Sequence, residues 1–254
     1  MTDREVVVVD SPEAVARAAA ERAVACARAA VVARGRFSVA LSGGSTPRAL
    51  FRLLAEAPLR SEIDWARIDV FWGDERCVPP THPDSNYRMA KEALLDQVPI
   101  PPERIHRIAA DTEDHAAAAT AYEAELARIL GRTPGGTPPV FDFLLLGMGA
   151  DGHTASLFPG TPALAEHRRW VVANRVEKLG ADRITLTWPI LNRAAYVLFL
   201  VAGADKAAVL REVLEGPRDV ARLPAQGIRP EAGRLVWLLD RAAATQLATT
   251  SATA

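Results

Sequence analysis

An imidazole and a carboxylate stand two residues apart in a run of glycines, Gly147-Met148-Gly149-Ala150-Asp151-Gly152-His153-Thr154. The pair could do acid–base work, because histidine is the side chain whose ordinary pKa suits a general base near neutral pH. The glycines let the backbone turn sharply and approach a ligand closely. Two blander readings compete. The spacing is also G-x-G-x-x-G, the dinucleotide fingerprint, but that fingerprint needs a long helix behind its third glycine. Here Thr154 opens a helical turn that Pro159 and Gly160 stop within a few residues. A histidine kept for structure alone is the other reading, and a glycine loop with an adjacent Asp is a poor place for one. The remaining histidines, His82, His106, His115 and His167, fall in polar loops or at helix starts and read as solvated.

A second glycine loop, Ser42-Gly43-Gly44-Ser45-Thr46-Pro47, suits an anion. Successive N–H groups through Gly43, Gly44 and Ser45 can form a nest, the helix behind adds its positive end, and the Ser42, Ser45 and Thr46 hydroxyls can donate. No Gly-Lys-Ser/Thr follows, so it is not a Walker A loop. An ordinary strand–turn–helix link would not need two adjacent glycines. Gly73-Asp74-Glu75-Arg76 sets two carboxylates and a guanidinium after another apolar run. Arg76 could hold a phosphate or carboxylate in bidentate fashion. From these residues alone a surface ion pair reads equally well. Lys206 ends Gly203-Ala204-Asp205-Lys206, a junction of the same kind. Lysine is rare: Lys91, Lys178 and Lys206 stand among 30 basic residues, a hint that a lysine retained here is wanted for its compact ammonium.

A nest, cationic side chains and an Asp/His pair point to acid–base chemistry on a small phosphorylated molecule. No G-x-S-x-G elbow appears, which argues against a serine hydrolase of the α/β-hydrolase kind. No His/Cys/Asp cluster has metal-ligand spacing, so neither metal nor cofactor is expected. A net charge of −1 over 254 residues, without a basic block, argues against nucleic acid or an anionic membrane as the main partner. No apolar run reaches the ~18 residues of a membrane span. The start, Met1-Thr2-Asp3-Arg4-Glu5, lacks the features of a signal peptide. Two cysteines, Cys26 and Cys77, offer no disulfide framework, and a reduced cytoplasm is the expected location.

Each chemically interesting loop follows a short apolar run. Phe141 to Leu146, interrupted only by Asp142, reads as a strand buried on both faces, as in a parallel sheet. Phe37 to Leu41, Ile68 to Trp72 and Tyr196 to Val201 read alike. Glu5 to Val9, Trp170 to Val176, Arg183 to Thr187 and Leu235 to Asp240 are further strands. Helices are predicted over Glu13 to Ala33, with Ser11 as cap, Pro12 at the first position and Gly35 as stop, and over Asp111 to Leu130. Others are Asn86 to Leu95, Pro189 to Arg193, Ala207 to Glu215, and a helix capped by Thr46 with Pro47 at its first position. This alternation predicts an α/β fold that holds ligands at the carboxyl ends of its strands. The loop Arg132 to Pro139 is no boundary, since the alternation continues across it, and the expectation is one domain over 1–254. The Ala/Thr-rich tail from Ala242 is expected to fray.

Three stretches then carry a resemblance. Leu41-Ser42-Gly43-Gly44-Ser45-Thr46-Pro47, Trp72-Gly73-Asp74-Glu75-Arg76, and Gly147 to Pro159 resemble, in this order, the motifs of the 6-phosphogluconolactonase family, which is related to the glucosamine-6-phosphate deaminases. The resemblance implies a single three-layer α/β/α domain with a mostly parallel Rossmann-like sheet. It implies hydrolysis of 6-phospho-D-glucono-1,5-lactone to 6-phosphogluconate, the second step of the oxidative pentose phosphate pathway. It further implies that His153 activates water for attack on C1 and that Asp151 orients the imidazole. Phosphate and sugar contacts map onto the Ser42–Thr46 loop, Arg76, Arg183 and Lys206, with Asp74 near the sugar. The implied partner is a phosphorylated sugar lactone bound by a monomer or small homo-oligomer. The deaminases carry a glutamate five residues past the histidine and a tyrosine at the Arg76 position. Phe158 and Arg76 occupy those places here, and both departures favour the lactonase. A non-catalytic sugar-phosphate sensor would tolerate loss of His153, and the intact Asp/His pair counts against it.

Overall fold

Apolar runs long enough to be buried on both faces become central strands. The computed structural model describes residues 4–248. Its strands are β1 (Arg4–Val9), β2 (Phe37–Leu41), β3 (Ile68–Trp72), β4 (Asp74–Arg76), β5 (Phe143–Gly147), β6 (Val171–Val176), β7 (Ala181–Leu186), β8 (Tyr196–Val201) and β9 (Arg234–Asp240). Six of them form one sheet in the order β1-β9-β8-β5-β2-β3, and every pair in it is parallel. Every residue of β2 and β3 is buried, as are the first four of β5. Such continuous burial requires helices on both sides, and the three-layer α/β/α arrangement supplies them. Asp142, the interruption in the apolar run, lies just before β5. Its carboxylate accepts from Ser38 N (2.8 Å) and Oγ (3.0 Å) and from Arg34 (2.5 Å), which ties β5 to the start of β2.

The first helix, α1 (Pro12–Arg34), begins and ends where its capping residues dictate. Ser11 Oγ accepts from Ala14 N, and Gly35 at φ 73° donates back to Val31 O. Its buried stripe is mostly alanine, which lets α1 lie close to β2, β8, β9 and to α2 (Ser45–Ala55). The other helices are α3 (Asn86–Ala90), continued by a π-helical turn Lys91–Leu95, then α4 (His115–Ile129), α5 (Trp188–Leu191), α6 (Ala207–Glu215) and α7 (Arg241–Ala244). No described helix is long and apolar enough to cross a membrane.

From β2 the chain moves to β3 on one side, whereas from β5 it proceeds to β8 and β9 on the other. The order therefore reverses between β2 and β5, and a crevice opens at their carboxyl ends. Over it stands a second sheet, antiparallel, in the order β4-β7-β6. The chain passes between sheets at Gly73, whose N–H donates to Leu41 O and whose carbonyl accepts from Leu186 N, both at 2.9 Å.

Three local expectations are corrected. The cap of α2 is Gly44 and the helix starts at Ser45, so Thr46 and Pro47 lie inside its first turn. Proline fits there because first-turn N–H groups have no intrahelical acceptor. The segment after His153 forms no helical turn. Thr154 Oγ1 donates to Gly147 O (2.8 Å) and Thr154 bridges Leu157, which folds the loop back onto the end of β5. His106 is buried rather than solvated: its N–H donates to Val70 O, its ring stacks on Phe71 at 4.6 Å, and its ring nitrogens meet Glu125 (2.9 Å) and Asp69 (3.4 Å). The tail from Ala242 begins in α7, capped by the Asp240 carboxylate on Ala243 N; residues 249–254, like 1–3, lie outside the described residues.

Candidate active site

Four neighbouring strands, β8, β5, β2 and β3, carry the chemically distinctive loops at their carboxyl ends. They bring forward Lys206, His153, the Ser42–Thr46 loop, and Asp74 with Arg76, in that spatial order. Two adjoining hollows open there, of about 150 and about 490 Å3, and Asp74, Arg76, His153 and Ala155 line both. Ser42 and Gly43 line the first hollow; Asp151, Lys178 and Arg183 line the second.

His153 Nδ1 lies 2.5 Å from Asp151 Oδ1, and the same oxygen accepts the His153 N–H at 3.2 Å. A carboxylate at Nδ1 selects the tautomer that places the proton there and leaves the Nε2 lone pair free. Burial pushes the imidazole pKa down to about 4; Asp74 opposes the shift, and the charges of Lys206, Arg183 and Arg76 reinforce it. The imidazole is therefore an unprotonated base at neutral pH. Phe158 covers it, stacked at 3.9 Å and 25°. Gly149 makes room for the pair: a Cβ there would stand 2.0 Å from His153 Nδ1 and 2.7 Å from Asp151 Oδ1.

β4 sorts its side chains by the alternation of a strand. Asp74 and Arg76 face the hollows, while Glu75 between them turns away. The Glu75 carboxylate is buried and accepts from the N–H groups of Arg76, Asn86 and Tyr87, each at 2.7 Å, and from Ser85 Oγ. Burial raises its pKa against those hydrogen bonds. This carboxylate anchors the start of α3, so that Asn86 Nδ2 reaches Asp74 O (2.9 Å) and its carboxamide fills the space beside Gly43. Ser156 Oγ donates to Asp74 Oδ2 at 2.6 Å, which fixes the other side of that carboxylate.

Arg76 and Arg183 are directly opposite one another in the antiparallel β4–β7 pair. Like charges so placed are destabilising on their own. Among the described residues neither guanidinium has a carboxylate within ion-pair distance; Arg76 donates to Asp84 O and Arg183 to Asp182 O. Two guanidinium groups without a carboxylate partner, side by side at a hollow, have the chemistry to receive a dianion.

The structure thus gathers Ser42, Gly43, Asp74, Arg76, Asp151, His153 and Arg183 around the hollows. Gly44 and Ser45 are exposed at the start of α2 and Thr46 half-buried there; none of the three lines a hollow. Lys206 pairs with Asp205 at 3.0 Å and, without lining either hollow, is close enough to act on the His153 charge. Sequence reasoning missed Asn86 and Ser156, which are ordinary polar residues until the fold delivers them. Lys178 it passed over, although lysine scarcity had marked it. Cys77 is half-buried and its thiol is pushed up to about 12, chiefly by burial, which leaves it inert.

Comparison with known proteins agrees with this fold. The family model described as glucosamine-6-phosphate isomerases/6-phosphogluconolactonase matches residues 10–237. The 6-phosphogluconolactonase of Synechocystis sp. is 46% identical over 231 residues, 89% of this chain and 93% of that protein. That of Streptomyces coelicolor is 42% identical over 248 residues, 96% of this chain and 94% of that one. Among solved structures, the 6-phosphogluconolactonase of Trypanosoma brucei superposes with a TM-score of 0.85 at 31% identity, covering 98% of this chain and 100% of that one. On the family match and on these identities, the chain belongs to the glucosamine-6-phosphate isomerase/6-phosphogluconolactonase family.

Proposed function

We propose that this chain, as one α/β domain over 1–254, hydrolyses 6-phospho-D-glucono-1,5-lactone to 6-phospho-D-gluconate, with His153 as general base. The observation that carries the assignment is that an oriented, unprotonated imidazole and the Arg76 guanidinium line the same hollows. In this reading the phosphate is held by Arg76 and Arg183, with Ser42 and Gly43 beside it and the rest of the loop to Thr46 and Lys206 adding positive potential from farther out, and Asp74 accepts from a sugar hydroxyl. Binding at the phosphate holds C1 beside His153. Nε2 takes a proton from water as its oxygen attacks C1, and the charge forming on the carbonyl oxygen is favoured by the surrounding cations. The intermediate collapses, the bond from C1 to the ring oxygen breaks, and that oxygen takes the proton from the imidazolium. Asp151 keeps the ring in the same orientation for both transfers. A lactone is an activated ester, so no covalent nucleophile is needed. Phe158, stacked on the imidazole, holds the ring where a deaminase would need a proton-relaying carboxylate. Both cysteines are unbridged, which supports a cytoplasmic location.

The depressed pKa has a direct readout. The His153 Cε1–H resonance is expected to titrate with a midpoint near 4 rather than 6.5. Because the unfolded chain takes up this proton first, the group destabilises the fold progressively as pH falls from about 6.5 to about 4. A midpoint above 6 refutes the buried-base description. Gly149→Ala, whose Cβ lands on the imidazole, should lower kcat about tenfold or more while KM moves little, since small misplacements of a reacting group cost one to two orders of magnitude.

The function is tested by supplying fresh lactone and glucosamine 6-phosphate side by side, with spontaneous lactone hydrolysis subtracted. Acid release from the first supports the reading; ammonia from the second makes the chain a deaminase, and neither product makes it a sensor.

A further inference from the structure

The Asp151–His153 pair has a third member that the reaction scheme does not yet use. Lys178 sits on the short turn Glu177–Leu179 between β6 and β7, and its ammonium pairs with Asp151 Oδ2, the oxygen that His153 leaves free. The same ammonium lies over the Phe158 ring, 4.8 Å from its centroid, on the ring that stacks against the imidazole. Lys178 therefore touches both supports of His153, the carboxylate at its Nδ1 and the aromatic surface at its face. The neighbouring Glu177 does not compete for the ammonium, since it pairs with Arg175 at 3.6 Å.

We propose that Lys178 is a positioning residue: it locks the Asp151 carboxylate in the orientation that keeps the proton on His153 Nδ1 and Nε2 free to act as base. The proposal rests on the general-base reading of His153. The Asp151 side chain is 32% exposed, so water competes for its oxygens, and both contacts from His153 fall on Oδ1, which leaves Oδ2 unrestrained but for Lys178. A carboxylate that turns away releases the imidazole to its other tautomer, which carries the proton on Nε2 and cannot accept one from water. The ammonium adds a second, charge-assisted contact that opposes that rotation. The turn that carries Lys178 also leads into β7, on which Arg183 stands five residues later. One continuous segment, turn plus β7, thus carries both the ammonium that braces the base and the Arg183 guanidinium.

The test compares wild type with Lys178→Met, which keeps an unbranched apolar stem toward Phe158 without the charge, and with Lys178→Arg, which restores a cation. Nitrogen-15 shifts of the His153 ring report the tautomer in the protein without substrate, and lactone hydrolysis gives kcat and KM. Lys178→Met is expected to populate the Nε2-protonated form and to lose roughly tenfold in kcat with KM within about threefold, the scale of a misoriented base. Lys178→Arg should recover the tautomer and most of kcat. An unchanged tautomer in Lys178→Met, a loss confined to KM, or an arginine variant no better than methionine overturns the proposal. A wild type that leaves lactone untouched removes the functional reading instead, and the ring shifts still decide whether Lys178 sets the tautomer.

Discussion

Replacing His153 with alanine lowers kcat by about 10²- to 10⁴-fold, the range a positioned general base contributes, and leaves 6-phosphogluconate binding within about threefold. The two effects separate because base and anion receptor stand on different strands. His153 follows β5, while Arg76 and Arg183 face one another across β4 and β7. Residual turnover reflects the reactivity of the lactone and its placement by the phosphate. Steady-state kinetics with the spontaneous reaction subtracted, together with calorimetric titration of product, measures both. Turnover at the wild-type rate in the alanine variant would remove the imidazole from the mechanism.

Arg76→Ala has the next largest consequence, and it falls on binding. Losing a charge-assisted contact to a dianion costs about 1.5–3 kcal/mol, so kcat/KM should fall by about 10- to 100-fold, mostly through KM. Arg183 is then relieved of the like charge opposite it. That relief offsets part of the lost stability, so the variant should melt close to wild type without ligand and respond less to phosphate. A variant whose KM is unchanged while kcat drops would place Arg76 at the reacting carbon rather than at the phosphate.

Much of this was legible where local rules decide the outcome. The runs Phe37 to Leu41, Ile68 to Trp72 and Tyr196 to Val201 coincide with β2, β3 and β8, because a short, mostly apolar stretch has one stable place in an α/β fold, and the polar Ser38 and Asp69 within two of them find buried partners. Ser11, Pro12 and Gly35 marked the ends of α1 for equally local reasons. What escaped was decided at long range. Three residues, Asp74 to Arg76, become a strand only because β7 pairs with them from far along the chain. His106 looked like a loop histidine until Asp69, Phe71 and Glu125 closed on it. The helical turn at Thr154 was lost to a hydroxyl that found the Gly147 carbonyl instead. Period-two alternation in Asp74-Glu75-Arg76 did contain the information that Glu75 faces away, but only once the segment is known to be extended.

The groups that line the hollows are drawn from Ser42 to Arg183, carried on strands adjacent in space and remote in sequence. No contiguous fragment of the polypeptide holds the chemistry, and a nascent chain has none until β7 has paired with β4. Contacts of such high order form late and slowly. Enzymatic activity in this molecule is accordingly a readout of the completed fold, absent from partially assembled species even when their helices and hairpins have already formed.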